Sequence, residues 1–255
     1  MNHPAFEILN PNARSSVLLV CDHASNLIPD CVARGDLGLS KADMMRHIAY
    51  DIGARGVTGH LAKILDAHAI LSRFSRLVID PNRGEDDPTI LMKLYDGSII
   101  EGNRHVDTQE KERRLNAFHR PYHKAISAQI DVMVSEGRRP AIVSVHSFTK
   151  QLKNRAPRPW HLGVLWDKDA RLAKPFMKYY ADDPDICIGD NEPYSGELRG
   201  DTMYFHGTCR NIPHILIEVR NDLIETPENQ HKWADRIAPA LWMALETIKK
   251  DTADG

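Results

Sequence analysis

The apolar positions of this chain fall into two patterns. Short runs without polar interruption alternate with longer stretches in which apolar residues recur every three or four positions. Val17-Leu18-Leu19-Val20 is a fully apolar run rich in β-branched side chains. That is the mark of a strand buried on both faces, as in a parallel sheet. Further short runs, apolar but for single polar residues, lie at residues 69–71, 141–145, 161–166, 186–188 and 214–219. An apolar run at Leu77-Val78-Ile79 also reads as a buried strand. The helical period marks residues 41–66, with Ser40 as N-cap, and then 107–136, 170–180 and 229–249. Gly53, Gly56 and Gly59 weaken the first of these and predict a break there. Strands alternating with helices predict an α/β chain with its strands in a parallel sheet.

What the runs deliver at their ends matters more for function. The first is followed by Cys21-Asp22-His23-Ala24-Ser25-Asn26, and the run at 141–145 by His146-Ser147-Phe148-Thr149. Adjacent parallel strands would bring His23 and His146 to one sheet edge, where open α/β sheets hold ligands. Arg76-Leu77-Val78-Ile79-Asp80-Pro81-Asn82-Arg83 places two arginines and an asparagine around the third run. A guanidinium fork matches a carboxylate, and the amide adds a donor and an acceptor. Asp51 sits among apolar neighbours, so it needs an arginine, a backbone amide or a metal as partner. Glu218 interrupts the last apolar run, with Arg220 two residues on and on the same strand face. A glutamate in a partly apolar pocket is suited to general-base work; an internal Glu218–Arg220 pair is the structural alternative.

Other polar features say less. His119 and His123 lie four apart on a predicted helix, but Pro121 interrupts the geometry and the glutamate of H-E-x-x-H is missing. They are expected to pack or to contact ligand. Residues 84–104 read as a long loop over the site. Residues 189–196 read as a polar loop whose Tyr194 suits ligand contact.

Composition narrows the partners. A chain of 255 residues without repeat or low-complexity linker is read as one domain. Its net charge of −2 gives no electrostatic case for nucleic acid or an anionic membrane. No apolar run approaches the roughly 20 residues of a membrane span. The first residues lack a basic region followed by an apolar one, so a cytoplasmic protein is expected. Four cysteines, scattered and without a C-x-x-C pair, are expected to be reduced thiols. Thirteen histidines invite a search for a metal site.

Several segments, in this order, resemble the N-formylglutamate amidohydrolase family. They are Cys21 to Asn26, Tyr50-Asp51-Ile52-Gly53-Ala54, Ser75 to Arg83, Pro121-Tyr122-His123, Ser144-Val145-His146-Ser147-Phe148, Gly189 to Tyr194, and Ile217 to Asp222. The resemblance implies a single three-layer α/β/α domain with a mostly parallel central sheet, of the zinc-carboxypeptidase or phosphorylase/hydrolase-like type. It implies a hydrolase of linear amides acting on a small N-acyl amino acid such as N-formylglutamate, with Zn2+ as cofactor. By that likeness Asn82 and Arg83 receive the substrate carboxylate, Arg76 polarises the scissile carbonyl, and Glu218 activates water. Tyr194, Arg220 and His123 are expected as further substrate contacts.

Relatives of that type ligate metal through His-x-x-Glu plus a distant histidine. Here the pair reads His23-Ala24-Ser25-Asn26, and an amide oxygen is a poor zinc ligand beside a carboxylate. The expected ligands are therefore His23, Asp51 and His146. Two alternatives stay open on the sequence. One is a related zinc carboxypeptidase or N-acyl amino acid deacylase; the other is a metal-free protein that binds amino-acid-like carboxylates.

Overall fold

The computed structural model describes residues 3–253. Its strands are β1 (Phe6–Leu9), β2 (Val17–Cys21), β3 (His68–Ser72), β4 (Leu94–Tyr95), β5 (Ser98–Ile99), β6 (Ala141–Phe148), β7 (Leu162–Leu165), β8 (Ile188–Asp190) and β9 (His214–Arg220). All but the small β4–β5 hairpin form one sheet in the order β1-β3-β2-β6-β9-β7-β8. The central strands β3, β2, β6 and β9 are parallel. Antiparallel pairs flank them, β1 on β3 and β7 on β9, with β8 parallel to β7 at the far edge. The helices are α1 (Lys41–Met44), α2 (Ala54–Ile64), α3 (Glu101–Arg104), α4 (Thr108–Arg114), α5 (Arg120–Ser135), α6 (Ala173–Tyr179), α7 (Thr202–His206) and α8 (Pro227–Ala253).

Strand alternation decides which residues meet which helix layer. Val17, Leu19, Val143, Val145, Ile215 and Ile217 pack with α2, α6 and α8. Leu18, Val20, Ile142 and Leu216 face the opposite way, onto Tyr122, Ile126, Ile130 and Met133 of α5. Continuing that second face toward the carboxyl ends of the strands brings up Asp22, Ser144, His146 and Glu218. The apolar layer gives way there to polar side chains, and the site begins.

Three expectations are corrected, over residues 76–83, at Pro121 and over residues 84–104. Residues 76–83 form no strand, although Leu77, Val78 and Ile79 are fully buried under the loops. Their carbonyls are satisfied by side chains instead of a neighbouring strand: Asn103 Nδ2 donates to Leu77 O (2.8 Å) and Arg114 Nη1 to Val78 O (3.0 Å). The break expected within 41–66 is present: α1 and α2 are separate helices with turns between, and α2 starts after Gly53. Pro121 does not interrupt its helix. It lies in the first turn of α5, which α4 reaches through a π-turn at Leu115–His119. The loop over 84–104 contains the β4–β5 hairpin and α3. Strand β1 and helix α7 carry too short a pattern to have been anticipated.

All four cysteines are free thiols. No helix among the described residues is long and apolar enough to cross a membrane.

Candidate active site

His23 is the second residue past the end of β2, and the amide of Asp51 donates to its carbonyl at 3.0 Å, which draws the two residues together. Gly53 then turns the chain into α2 at φ 80°, and a Cβ there would lie 2.3 Å from the Ile224 carbonyl oxygen. Only glycine meets both demands, so Asp51-Ile52-Gly53 fixes where the Asp51 carboxylate arrives. His146 comes from within β6, one strand over.

The three side chains converge. Asp51 Oδ2 lies 2.7 Å from His146 Nδ1 and 3.3 Å from His23 Nδ1. One ligand atom from each residue lies within 4.8 Å of the others, and all three residues are buried. The opposite ring nitrogens are also engaged. His23 Nε2 meets Asp80 Oδ1 at 2.7 Å, and His146 Nε2 meets Asp22 Oδ2 at 2.8 Å. These aspartates are themselves held. Asp22 accepts from Tyr122 Oη (3.0 Å), Ser144 Oγ (3.1 Å) and Thr202 Oγ1 (2.7 Å). Asp80 Oδ2 accepts from Arg76 Nη2 (2.8 Å) and Nε (3.2 Å).

The electrostatics favour a cation at this point. Burial works against the ionised carboxylates, yet the charges and hydrogen bonds of the two histidines, with Arg76 at Asp80, hold Asp22, Asp51 and Asp80 below the usual range. Burial likewise opposes a charged His146, but hydrogen bonds to Asp22 and Asp51 hold its imidazolium well above the ordinary value. Three carboxylates surround one arginine and two imidazoles, and the charge that balances them at His146 is a proton that a metal cation could replace. Asp22 and Asp80 fix a proton on each Nε2 and turn each Nδ1 toward Asp51, so a cation that displaced the Nδ1 proton of His146 would find both Nδ1 atoms placed to ligate, the arrangement that second carboxylates give histidine metal sites. Two imidazoles and one carboxylate with room for water form a donor set suited to Zn2+. The residues fit the ion.

Glu218 stands beside this cluster as the register partner of His146. It is 6% exposed, and its Oε2 has no hydrogen-bond partner. Burial pushes its carboxyl up to about 7. The cluster and Glu218 line a cavity of about 400 Å³.

The sequence matches the family model of N-formylglutamate amidohydrolase over residues 15–225. The chain belongs to the N-formylglutamate amidohydrolase family. A gene product of Agrobacterium tumefaciens is similar at 32% identity and a TM-score of 0.92, with 97% of each chain covered. The N-formylglutamate amidohydrolase of Ralstonia eutropha shares the fold at 15% identity and a TM-score of 0.72, covering 97% of this chain and 100% of its own. A search of the curated proteins gave no match.

Against that family membership, the residues singled out in the sequence divide into two groups. Arg76, Asn82, Arg83 and Tyr194 line the cavity with His23, Asp51, His146 and Glu218. Arg76 is turned toward Asp80 and lies 3.5 Å from Asp51, with its guanidinium 5.4 Å from the Tyr95 ring centre. Asn82 accepts at Oδ1 from the Thr202 amide (3.1 Å). Tyr194 receives a hydrogen bond from Arg158 at its hydroxyl (3.1 Å). Asn26 donates to the Met44 carbonyl and is no part of the cluster.

His123 and Arg220, expected as substrate contacts, do not line the cavity. His123 is bound to the Pro81 carbonyl and to His206, behind the wall. Arg220 pairs with Asp222 at 2.7 Å and donates to the Trp160 carbonyl, which also leaves no Glu218–Arg220 pair. Sequence reasoning assigned no role to Asp22 and Asp80. The available signal was their position, one residue before His23 and within the arginine segment. His47 and Asp201, also in the cavity wall, carried no signal at all.

Proposed function

We propose that this protein is a metal-dependent amidohydrolase that cleaves the amide of an N-formyl or other N-acyl amino acid, with N-formylglutamate as the first substrate to test. Membership of the family places it among hydrolases of linear amide bonds. The observation that carries the finer reading is the convergence of His23, Asp51 and His146, each imidazole backed by its own aspartate, beside an unpartnered Glu218.

In this reading His23, Asp51 and His146 hold a divalent cation such as Zn2+, which supplies a water of lowered pKa and a Lewis acid for the carbonyl. Glu218 takes a proton from the attacking water and returns it to the leaving amine. Asn82 and Arg83 bind the substrate carboxylate and so orient the amide. Arg76, already fixed by Asp80, presents its charge where negative charge grows on the carbonyl oxygen. The products are the free amino acid and the small carboxylate.

The test is release of amino acid from a panel of N-acyl amino acids by the zinc-loaded protein, beside Glu218→Gln. The isosteric variant is expected to lose roughly 10²–10⁴ in kcat with its zinc retained. Equal turnover by the variant excludes Glu218 as the base, and a parent inert toward the whole panel contradicts the substrate class.

A further inference from the structure

Three histidines lie behind the loop that carries Asn82 and Arg83. His119, the last residue of the π-turn, lies one helical turn before His123 of α5, with ring centres 4.4 Å apart. His119 Nε2 meets the Arg83 carbonyl at 2.9 Å, and His123 Nε2 meets the Pro81 carbonyl at 2.9 Å. These carbonyls flank Asn82. His206, the last residue of α7, puts Nε2 at 2.9 Å from His123 Nδ1, its ring stacked on that of His123.

The donors in this chain follow from elementary chemistry. Burial pushes His123 down to about 3 and His206 down to about 4, and it lowers His119 as well. All three are neutral at neutral pH, and a neutral imidazole carries one N–H. A carbonyl only accepts, so His119 and His123 must carry that hydrogen on Nε2. His123 Nδ1 is then an acceptor, and His206 Nε2–H donates to it. Each ring has one assignment.

Helix α7 itself makes the third contact with the loop. The Thr202 amide donates to Asn82 Oδ1 (3.1 Å), leaving the Asn82 NH2 group for a ligand. Thr202 Oγ1 donates to Asp22 (2.7 Å), the aspartate behind His146. Three consecutive residues, Pro81, Asn82 and Arg83, are thus each pinned from behind by α5, its π-turn or α7. A surface loop could satisfy its carbonyls with water; this one is held by planar rings with few rotamers.

We propose that His119, His123 and His206 are positioning residues, a histidine clamp that sets the reach of Asn82 and Arg83 toward the substrate carboxylate. This rests on the reading of Asn82 and Arg83 as the carboxylate receptor. The clamp touches no reacting atom, so its loss weakens substrate binding more than turnover.

The experiment compares zinc-loaded parent, His123→Ala, His123→Gln, His206→Ala and Arg83→Ala. It reads calorimetric affinity for N-formyl-L-glutamate and N-formyl-L-methionine with Glu218→Gln added to each protein, so that the probe is not consumed, and kcat, KM and zinc per chain with Glu218 in place. His123→Ala and Arg83→Ala are each expected to weaken binding about tenfold with zinc unchanged, and His123→Ala to keep kcat within about threefold of parent. His123→Gln, whose amide can still donate to the Pro81 carbonyl, should recover most of the affinity, and His206→Ala should show a smaller loss. If Arg83→Ala weakens binding while His123→Ala and His206→Ala bind like the parent, the clamp fails and the receptor reading stands. If Arg83→Ala has no effect, or the parent binds neither probe, the receptor reading fails and takes the clamp with it. Should His123→Ala not fold, His206→Ala decides, because it leaves both carbonyl contacts in place.

Discussion

His146 and Glu218 are register partners on the parallel strands β6 and β9, and both line the same cavity. The pairing puts a candidate metal ligand and a candidate base on one face of the sheet, beyond its apolar layer. A register slip of one residue would send Glu218 into the opposite layer, among Ile217 and Val219. The burial that leaves Glu218 Oε2 unpartnered is therefore a product of strand pairing rather than of a mobile loop.

The aspartates behind the two imidazoles set metal affinity. Asp22→Asn and Asp80→Asn remove the negative charge that holds the Nε2 proton of His146 and His23. Each is expected to lower zinc affinity by about 10–100-fold in competition with a chelator. Affinity within about twofold of the parent in both would remove them from the account.

Arg114 is 1% exposed and supports the segment that ends in Asp80. It donates to the Val78 carbonyl (3.0 Å) and to Asn103 Oδ1 (2.8 Å). Arg114→Leu strands both acceptors, at an expected cost of about 3 kcal/mol and on the order of 8 °C in Tm. Zinc affinity should fall with it, because Asp80 loses its support. An unchanged Tm would contradict this.

Asp201 gives the metal-free protein a pH dependence. It is 4% exposed, caps α7 by accepting from the Tyr204 amide (2.7 Å), and burial pushes its carboxyl up to about 7. The folded chain thus keeps a proton that an ordinary aspartic acid releases near 3.8. This contribution to stability is complete below pH 3.8 and is lost as pH rises toward 7. Asp201→Asn, which keeps the cap and cannot ionise, should gain on the order of 1–3 kcal/mol over the parent at pH 8 and nothing at pH 4. Thermal unfolding in chelator at the two pH values checks it, and an equal difference at both would contradict it.

The part of the site carried by sheet physics could be read from the sequence. Short β-branched runs predict buried parallel strands, and parallel strands bring their carboxyl ends together, so His23, His146 and Glu218 followed from β2, β6 and β9. Asp51 followed from the cost of burying an unpaired acid. Leu77-Val78-Ile79 did not, because its apolar run looks like a strand. What prevents one is side-chain capture of its carbonyls by Asn103 and Arg114, 26 and 36 positions further along. The roles of Asp22 and Asp80 depend on which rings arrive from distant segments. His123 has the right chemistry for a ligand contact, but it is bound to the Pro81 carbonyl and stacked on His206, behind the cavity wall.

Zinc per chain, measured by mass spectrometry after loading and removal of excess metal, bears most directly on the His23–Asp51–His146 centre. The parent should hold about one zinc, and Asp51→Ala and His146→Ala close to none. Full zinc in Asp51→Ala would contradict the account, because a centre that survives without that carboxylate is not the one this geometry describes.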